Sequence, residues 1–337
     1  MTSSYLTSAV FAAGLVIAPS AFAAKITSFD PPNSDDTYAV AINNSGAVAG
    51  FFDILDGNRN AFARAVDGTI TVFDPKKSYR TWAVGINDAG TIAGYFDVHG
   101  GAHAPYHDLQ HGFVRTSNGR ITSFDPPGCN YTEIGGINRN GDVAGDSVDK
   151  KKTWMTHGFL RTADGRIRVF DPAGSISTNA YALNSYHVVT GIYEDHQTMI
   201  HGFVRDARGE ITSFDASGAI ATEPDAINDA GLIAGVYYIS NSEDHAFLRS
   251  ADGTISTVDP PGSTFVQVWG INDRGAIVGD YWPSRGPSWG FIRSPDGHFT
   301  TFSPKRAYGT DVYAINNHGE AVGFYEGGFQ HGFVRSR

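Results

Sequence analysis

Two groups of residues in this 337-residue chain combine side-chain types and spacings that could do chemistry. The first is Asp97, His99, His103, His107 and Asp108, within twelve residues. Neutral imidazoles and carboxylates bind Zn2+ or a similar ion, and an imidazole such as that of His107 is also a general base. Gly100, Gly101 and Pro105 interrupt the four-residue spacing, so this is a loop and not a helical face. A polar, solvated loop is the plainer reading of it.

The second group recurs along the chain. Tyr38, Trp82, Glu133, Asn179, Glu223, Gln267 and Asp311 each stand four residues before the Ile or Leu of an Ile-Asn or Leu-Asn pair. Two positions further on, Tyr181, Asp225, Trp269 and Tyr313 share their face if the segment is extended. Aromatic rings cover the faces of sugars, and carboxylates accept hydrogen bonds from hydroxyls, so this mixture suits a carbohydrate. Glu133 and Glu223 are the candidate acid/base pair if glycosidic chemistry occurs, provided their separation fits. A polysaccharide lyase would instead need a base among His103, His107, Tyr131 and Tyr181, with Arg80 or a cation neutralising a uronate. The plainer alternative is a hydrated channel lining.

What positions these residues is a repeat. One unit runs Ile121-Thr122-Ser123-Phe124-Asp125-Pro126-Pro127, Gly136-Ile137-Asn138, Val143-Ala144-Gly145 and His157-Gly158-Phe159-Leu160-Arg161. Its asparagine recurs at 43, 87, 138, 184, 228, 272 and 316, at spacings of 44, 51, 46, 44, 44 and 44 residues. Each unit holds four short apolar or alternating runs separated by Gly, Asn, Asp and Pro. Asn87-Asp88-Ala89-Gly90 and Ser117-Asn118-Gly119 read as tight turns that use glycine for positive φ. A period near 44 with four strands per unit predicts an all-β fold, a seven-bladed β-propeller of four-stranded blades. The chain enters on a fourth-strand motif, Ile26-Thr27-Ser28-Phe29-Asp30, and ends on a third-strand motif, His331-Gly332-Phe333-Val334-Arg335. Pairing these two strands would close the ring and remove a bare sheet edge.

Residues repeated in every unit read as scaffold, since one active site cannot need seven copies. Arg64, Arg115, Arg161, Arg205, Arg249, Arg293 and Arg335 form one such column and the asparagines another. A third places a His 14 residues before an Asp: His111 with Asp125, His157 with Asp171, His201 with Asp215 and His245 with Asp259. The same logic sets His331 opposite Asp30. Trp289 and Ser303 replace both partners together, and Asn60 stands opposite Asp74. These pairs resemble catalytic dyads, but their number argues for cross-strand scaffold bridges. Tyr186-His187, in place of the usual turn sequence, reads as drift of the repeat.

The chain resembles the HAF-repeat family of extracellular proteins, named for a His-Ala-Phe motif. That motif is literal at His245-Ala246-Phe247 and appears as His-Gly-Phe at 111, 157, 201 and 331. The resemblance covers residues 26 to 337 and implies export and a propeller-like repeat array, with no activity to carry over.

Residues 1–23 read as a signal peptide: Leu6 to Ala18 is apolar, and Ala21-Phe22-Ala23 offers a small-x-small cleavage site. The remainder, 24–337, is expected to be one propeller domain. No apolar run is long enough for a comfortable membrane span, so stable membrane insertion is not expected and the location is secreted or periplasmic. A single cysteine, Cys129, allows no intramolecular disulfide. A net charge of −10 argues against nucleic acid, and the one local basic run, Lys150-Lys151-Lys152, reads as a solvated loop.

The expected function is an exported binding module for an extracellular glycan or protein, held on the face with variable loops, where functional residues concentrate. The candidate binding residues are Tyr38, Arg80, Trp82, Tyr181, Asp225, Trp269, Asp311 and Tyr313. The alternative is a secreted lyase or glycosidase using Glu133, Glu223 and His107, and a purely structural envelope protein is a third reading. The candidate metal ligands are His99, His103 and His107. The sequence does not identify a cofactor, and a monomer is the expected state.

Overall fold

The computed structural model describes residues 24–99, 109–149 and 152–336. Among them there is no helix, and every regular element is a β-strand. The expected signal segment 1–23 lies outside the described residues.

The building block is a four-stranded antiparallel meander, as in Cys129–Ile137, Val143–Asp149, Lys152–Arg161 and Ile167–Phe170. Three sheets consist of one such unit. Two eight-stranded sheets each join two units through a single parallel bridge, Arg59 to Arg80 in one and Ile200 to Ala221 in the other. The four-stranded units fit propeller blades. The N-terminal strand Ile26–Phe29 pairs antiparallel with the C-terminal strand Gln330–Arg335, Ile26 opposite Arg335 and Phe29 opposite Gly332.

Strand alternation explains the packing. The Phe of each His-Gly-Phe or equivalent motif points between units and is fully buried: Phe62, Phe113, Phe159, Phe203, Phe247, Phe291 and Phe333. Burial of a side chain this size contributes roughly 2–3 kcal/mol. Next to this layer the arginine column stacks on aromatic rings of the preceding unit. Arg115 lies 4.5 Å from the Phe73 ring centroid, Arg161 4.7 Å from Phe124, Arg205 5.0 Å from Phe170 and Arg249 4.6 Å from Phe214. Arg335 covers Phe302 and Arg64 covers Phe29, so the contact also joins the two chain ends. Arg293 departs from the pattern because Val258 fills the phenylalanine position, and it turns to its own Phe299 at 6.0 Å. Each such contact is worth about 0.5–2 kcal/mol.

The turn after each innermost strand carries the asparagine column. Asn43 Nδ2 donates to the carbonyl of Asn87, Asn87 to Asn138, Asn138 to Asn184, Asn184 to Asn228, Asn228 to Asn272 and Asn272 to Asn316. Asn316 then donates to the carbonyl of Asn43 at 3.1 Å. Each Asn Oδ1 accepts backbone N–H groups of its own turn, as Asn228 does from Leu232. Asparagine is therefore both turn former and inter-unit clamp.

The His–Asp pairs form as their spacing predicts. Nδ1 of His111, His157, His201, His245 and His331 lies 2.7, 2.7, 2.9, 2.7 and 2.8 Å from its Asp carboxylate. Thr132 Oγ1 also donates to Asp125, so that pair ties one unit to the next. These are repeated structural bridges, and the substituted pair keeps a polar link of its own: Ser303 Oγ lies 2.9 Å from Thr310 Oγ1.

Candidate functional site

Every innermost strand breaks register at the same point. The shifts lie between Ala39 and Ala41, Ala83 and Gly85, Ile134 and Gly136, Ala180 and Ala182, Pro224 and Ala226, Val268 and Gly270, and Val312 and Ala314. The residues left over are Val40, Val84, Gly135, Tyr181, Asp225, Trp269 and Tyr313. A bulge re-aims the side chain it frees, and all seven of these residues line one cavity. The glycine of the Val-Ala-Gly run makes this possible. A Cβ on Gly50, Gly94, Gly145, Gly191, Gly235, Gly279 or Gly323 would collide with the carbonyl oxygen of the facing inner strand. Only glycine lets the two backbones approach so closely.

The cavity has a volume of about 540 Å³ and lies along the innermost strands before their asparagine turns. Eight aromatic or amphipathic rings take part in its wall, in stacked groups: Tyr38 on Phe51 at 4.9 Å, Trp82 on Tyr95 at 4.9 Å, and Trp269 on Tyr313 at 4.8 Å and 10°. Glu223, Asp225 and Gln267 supply its polar groups.

One wall carries an arginine. Arg59 sits 4.7 Å from the Phe51 centroid, 5.1 Å from Trp82 and 5.7 Å from Tyr38. Its Nε and Nη2 donate to the two oxygens of Asp53, both at 2.7 Å. The guanidinium is thus neutralised and sandwiched, and it props the aromatic wall. Sequence reasoning missed Arg59. The signal was the position before the His of each repeat, which reads Gln110, Thr156, Ile200, Asp244, Ser288 and Gln330 in the other units and is cationic only here.

The opposite arc is acidic. Burial pushes the Glu223 carboxyl up, against a hydrogen bond from Tyr238. Burial, and then the neighbouring Glu223, hold the Asp225 carboxyl well above the usual carboxylate range. Asp225 Oδ2 has neither solvent contact nor a hydrogen-bond partner. Flanking it, Asp146 is pushed up to about 8 by burial and by Glu133. Asp280 is raised by burial and by Asp311, although Trp269 Nε1 donates to it at 2.7 Å.

Seven of the sequence-derived candidates converge here: Tyr38, Trp82, Tyr181, Glu223, Asp225, Trp269 and Tyr313. Three do not line the cavity. Glu133 accepts a hydrogen bond from Tyr131 at 3.3 Å, with burial raising its pKa. Asp311 faces Asp280 and Glu326, again raised by burial. Arg80 is exposed and lies over the Tyr79 ring at 5.5 Å. Of the histidine-rich loop, His103 and His107 lie outside the described residues, and His99 stacks on Tyr79 at 4.1 Å. Among the described residues no group of three or more His, Cys, Asp or Glu is arranged to hold a metal ion. Also among them, no helix is long and apolar enough to cross a membrane.

No protein-family model matches the chain, and no curated protein is similar to it in sequence. Solved structures are similar in fold. The β-propeller domain of the Trilobed protease from Pyrococcus furiosus, described as having an open velcro topology, superposes with a TM-score of 0.60 at 11% identity, covering 89% of this chain and 95% of that one. Pyrococcus horikoshii acylaminoacyl peptidase gives a TM-score of 0.57 at 10% identity over 89% of this chain, and puromycin hydrolase 0.58 at 11% over 88%. The chain spans 52% of the length of each of those two enzymes. At such identities the likeness concerns the fold alone: this is an all-β, propeller-type protein.

Proposed function

We propose that this chain is an exported seven-bladed β-propeller of the HAF-repeat type, a single domain over 24–337, that binds an extracellular glycan at the variable-face mouth of its channel. Pairing of Ile26–Phe29 with Gln330–Arg335 and the return bond from Asn316 to Asn43 support a closed ring. The His–Asp bridges support the repeat assignment. The observation that carries the function is the cavity of about 540 Å³ walled by stacked aromatic rings with Glu223, Asp225 and Gln267 among them. Rings give area for sugar faces, while convergent polar groups fix orientation. The cross-strand pair Phe265 and Trp282, 43% and 39% exposed, offers further aromatic surface for an extended polymer.

One observation favours an enzyme instead. Glu223 is a half-buried carboxyl with a raised pKa that lines a cavity, a property suited to a general acid. The two readings separate in one experiment. The purified protein without residues 1–23 is incubated with a panel of neutral, acidic and amino polysaccharides, and both retention and product release are measured. Retention without products, weakened by Trp269→Ala, is expected. Release of oligosaccharides that Glu223→Gln abolishes would make the protein an enzyme. Neither retention nor release from any polymer would remove the glycan reading and turn attention to a protein ligand.

A further inference from the structure

We propose that the ligand's recognised group is the protonated amine of an amino sugar, seated against Glu223 and Asp225 with Tyr181 and Trp269 flanking the sugar ring. This rests on the glycan reading above and narrows it to one class.

The starting point is Asp225. Buried polar atoms are nearly always hydrogen-bonded, and each exception asks for a reason. Asp225 Oδ2 is such an exception, and it belongs to a residue that a bulge turns into the cavity. Pro224, just before it, offers no backbone N–H, and the other carboxylate of this strand, Glu223, has no proton donor to give when ionised. Oδ2 itself is closed to solvent while the residue lines the cavity, so a ligand's donor partners this carboxyl once the side chain rotates toward it.

Charge decides which donor. Glu223 and Asp225 line the cavity from one strand, and behind its wall stand Glu133 and Asp146 on one side and Asp280 and Asp311 on the other. The cation of the facing wall, Arg59, is consumed by Asp53. A uronate is repelled by any of these carboxyls that is ionised and gains nothing from those that are protonated, whereas a neutral hydroxyl leaves Glu223 and Asp225 protonated or repelling each other. An ammonium relieves both. A bare metal ion fits less well, since no set of three ligands exists among the described residues, while an ammonium near Trp and Tyr faces gains cation–π attraction. Both carboxyls have raised pKa values in the free protein. An ammonium that ionises them displaces protons.

The test is calorimetry at pH 6 on the protein without residues 1–23, in two buffers of different ionisation enthalpy. The ligands are a glucosamine oligosaccharide, the N-acetylglucosamine oligosaccharide of equal length, a galacturonate oligosaccharide and spermidine. The glucosamine oligomer is expected to bind at least tenfold tighter than the other three and to release protons. Glu223→Gln and Asp225→Asn are each expected to weaken it at least tenfold with an unchanged melting temperature for at least one of them. Equal binding of the acetylated oligomer would overturn the amine and leave the glycan reading standing. Equal binding of spermidine would overturn the sugar. Tighter binding of the galacturonate oligomer would overturn the charge argument, and binding of none of the four would overturn this proposal outright. Retention of some other polymer in the panel above would then still show a glycan-binding site.

Discussion

The two ends of the innermost strands belong to the same elements and differ in almost every respect. At the turn face the residues are nearly the same from unit to unit, and the Asn43-to-Asn316 relay returns on itself. A second layer outside it repeats the device less strictly: Asn44 N–H donates to Asp88, Asp229 N–H to Asp273, and Asp273 N–H to Asn317. At the opposite mouth no two adjacent units present the same residue after the two valines: Gly135, Tyr181, Asp225, Trp269 and Tyr313 follow one another. There Asp225 Oδ2 is left unpartnered. The contrast assigns the free energy of the fold to the repeated residues and, on the function proposed above, recognition to the irregular ones. Substitutions at the first end should cost stability, and those at the second should cost binding.

The sharpest way to break that contrast is at the glycine that couples the two ends. In Gly235→Ala the new methyl group would meet the Glu223 carbonyl and the Pro224 backbone. The bulge cannot persist, and Asp225 would leave the cavity. A loss of about 3 kcal/mol or more is expected, with binding lost too. Denaturant unfolding measures the first, and an unchanged midpoint would mean that the bulge is not held by this contact. Next in size is Asn228→Ala, which removes the bond to Asn272 and strands the Leu232 N–H. Because it leaves buried partners unsatisfied, about 2–3 kcal/mol is expected. Arg205→Ala should follow, at about 1–3 kcal/mol, through loss of packing on Phe170. A melting temperature equal to that of the unchanged protein would remove the arginines from the scaffold.

The channel acids predict a pH dependence with a definite sign. Asp146 is raised to about 8 by burial and Glu133, and Asp280 is raised by burial and Asp311. The folded protein thus holds protons that the unfolded chain releases near pH 4. The stability associated with them is fully present below that pH and is lost as pH rises toward 8. His201 and His245, raised despite burial by their Asp215 and Asp259 partners, act in the same direction at higher pH. The melting temperature should therefore fall by a few degrees between pH 5 and pH 8.5, and Asp146→Asn should flatten the fall. A slope that Asp146→Asn leaves untouched would assign it to the histidines.

Much of this was legible in the residues. The repeat exposed the strands, the turns, the pairing of Asp30 with His331 and the convergence of Tyr38, Trp82, Glu223 and Asp225, because each follows from local periodicity. The bulge was not legible as such: its sign is a glycine on one strand, its effect falls on another, and only the register between them joins the two. Arg59 was missed because its role depends on Tyr38, Phe51 and Trp82, which come from three strands. Glu133 and Asp311 share the repeat position of Glu223 yet do not line the cavity: Tyr131 holds Glu133 by a hydrogen bond, and Asp311 stands against the like-charged Asp280.

The smallest effect is expected at the one turn that breaks the repeat. His187 stands where Gly46, Gly90, Gly141, Gly231, Gly275 and Gly319 adopt positive φ, and it does so itself at 63°. For a residue with a Cβ this costs about 1–2 kcal/mol. In return its Nε2 lies 2.9 Å from Asp142 Oδ2, so the side chain bridges to the unit before its own and is more than drift of the repeat. Asp142 would not be orphaned without it, since Ala163 N–H and Asn138 Nδ2 also donate to that carboxylate. The bridge is therefore worth only about 1 kcal/mol, much the same as the strain it offsets. His187→Gly should leave stability within about 0.5 kcal/mol of the starting value, since the gain in backbone freedom and the lost bond nearly cancel. His187→Ala keeps the strain and loses the bond, so it should fall below both. If the alanine variant matched the glycine variant, the turn would be insensitive to its φ, and the glycines at the other six turns would need another explanation.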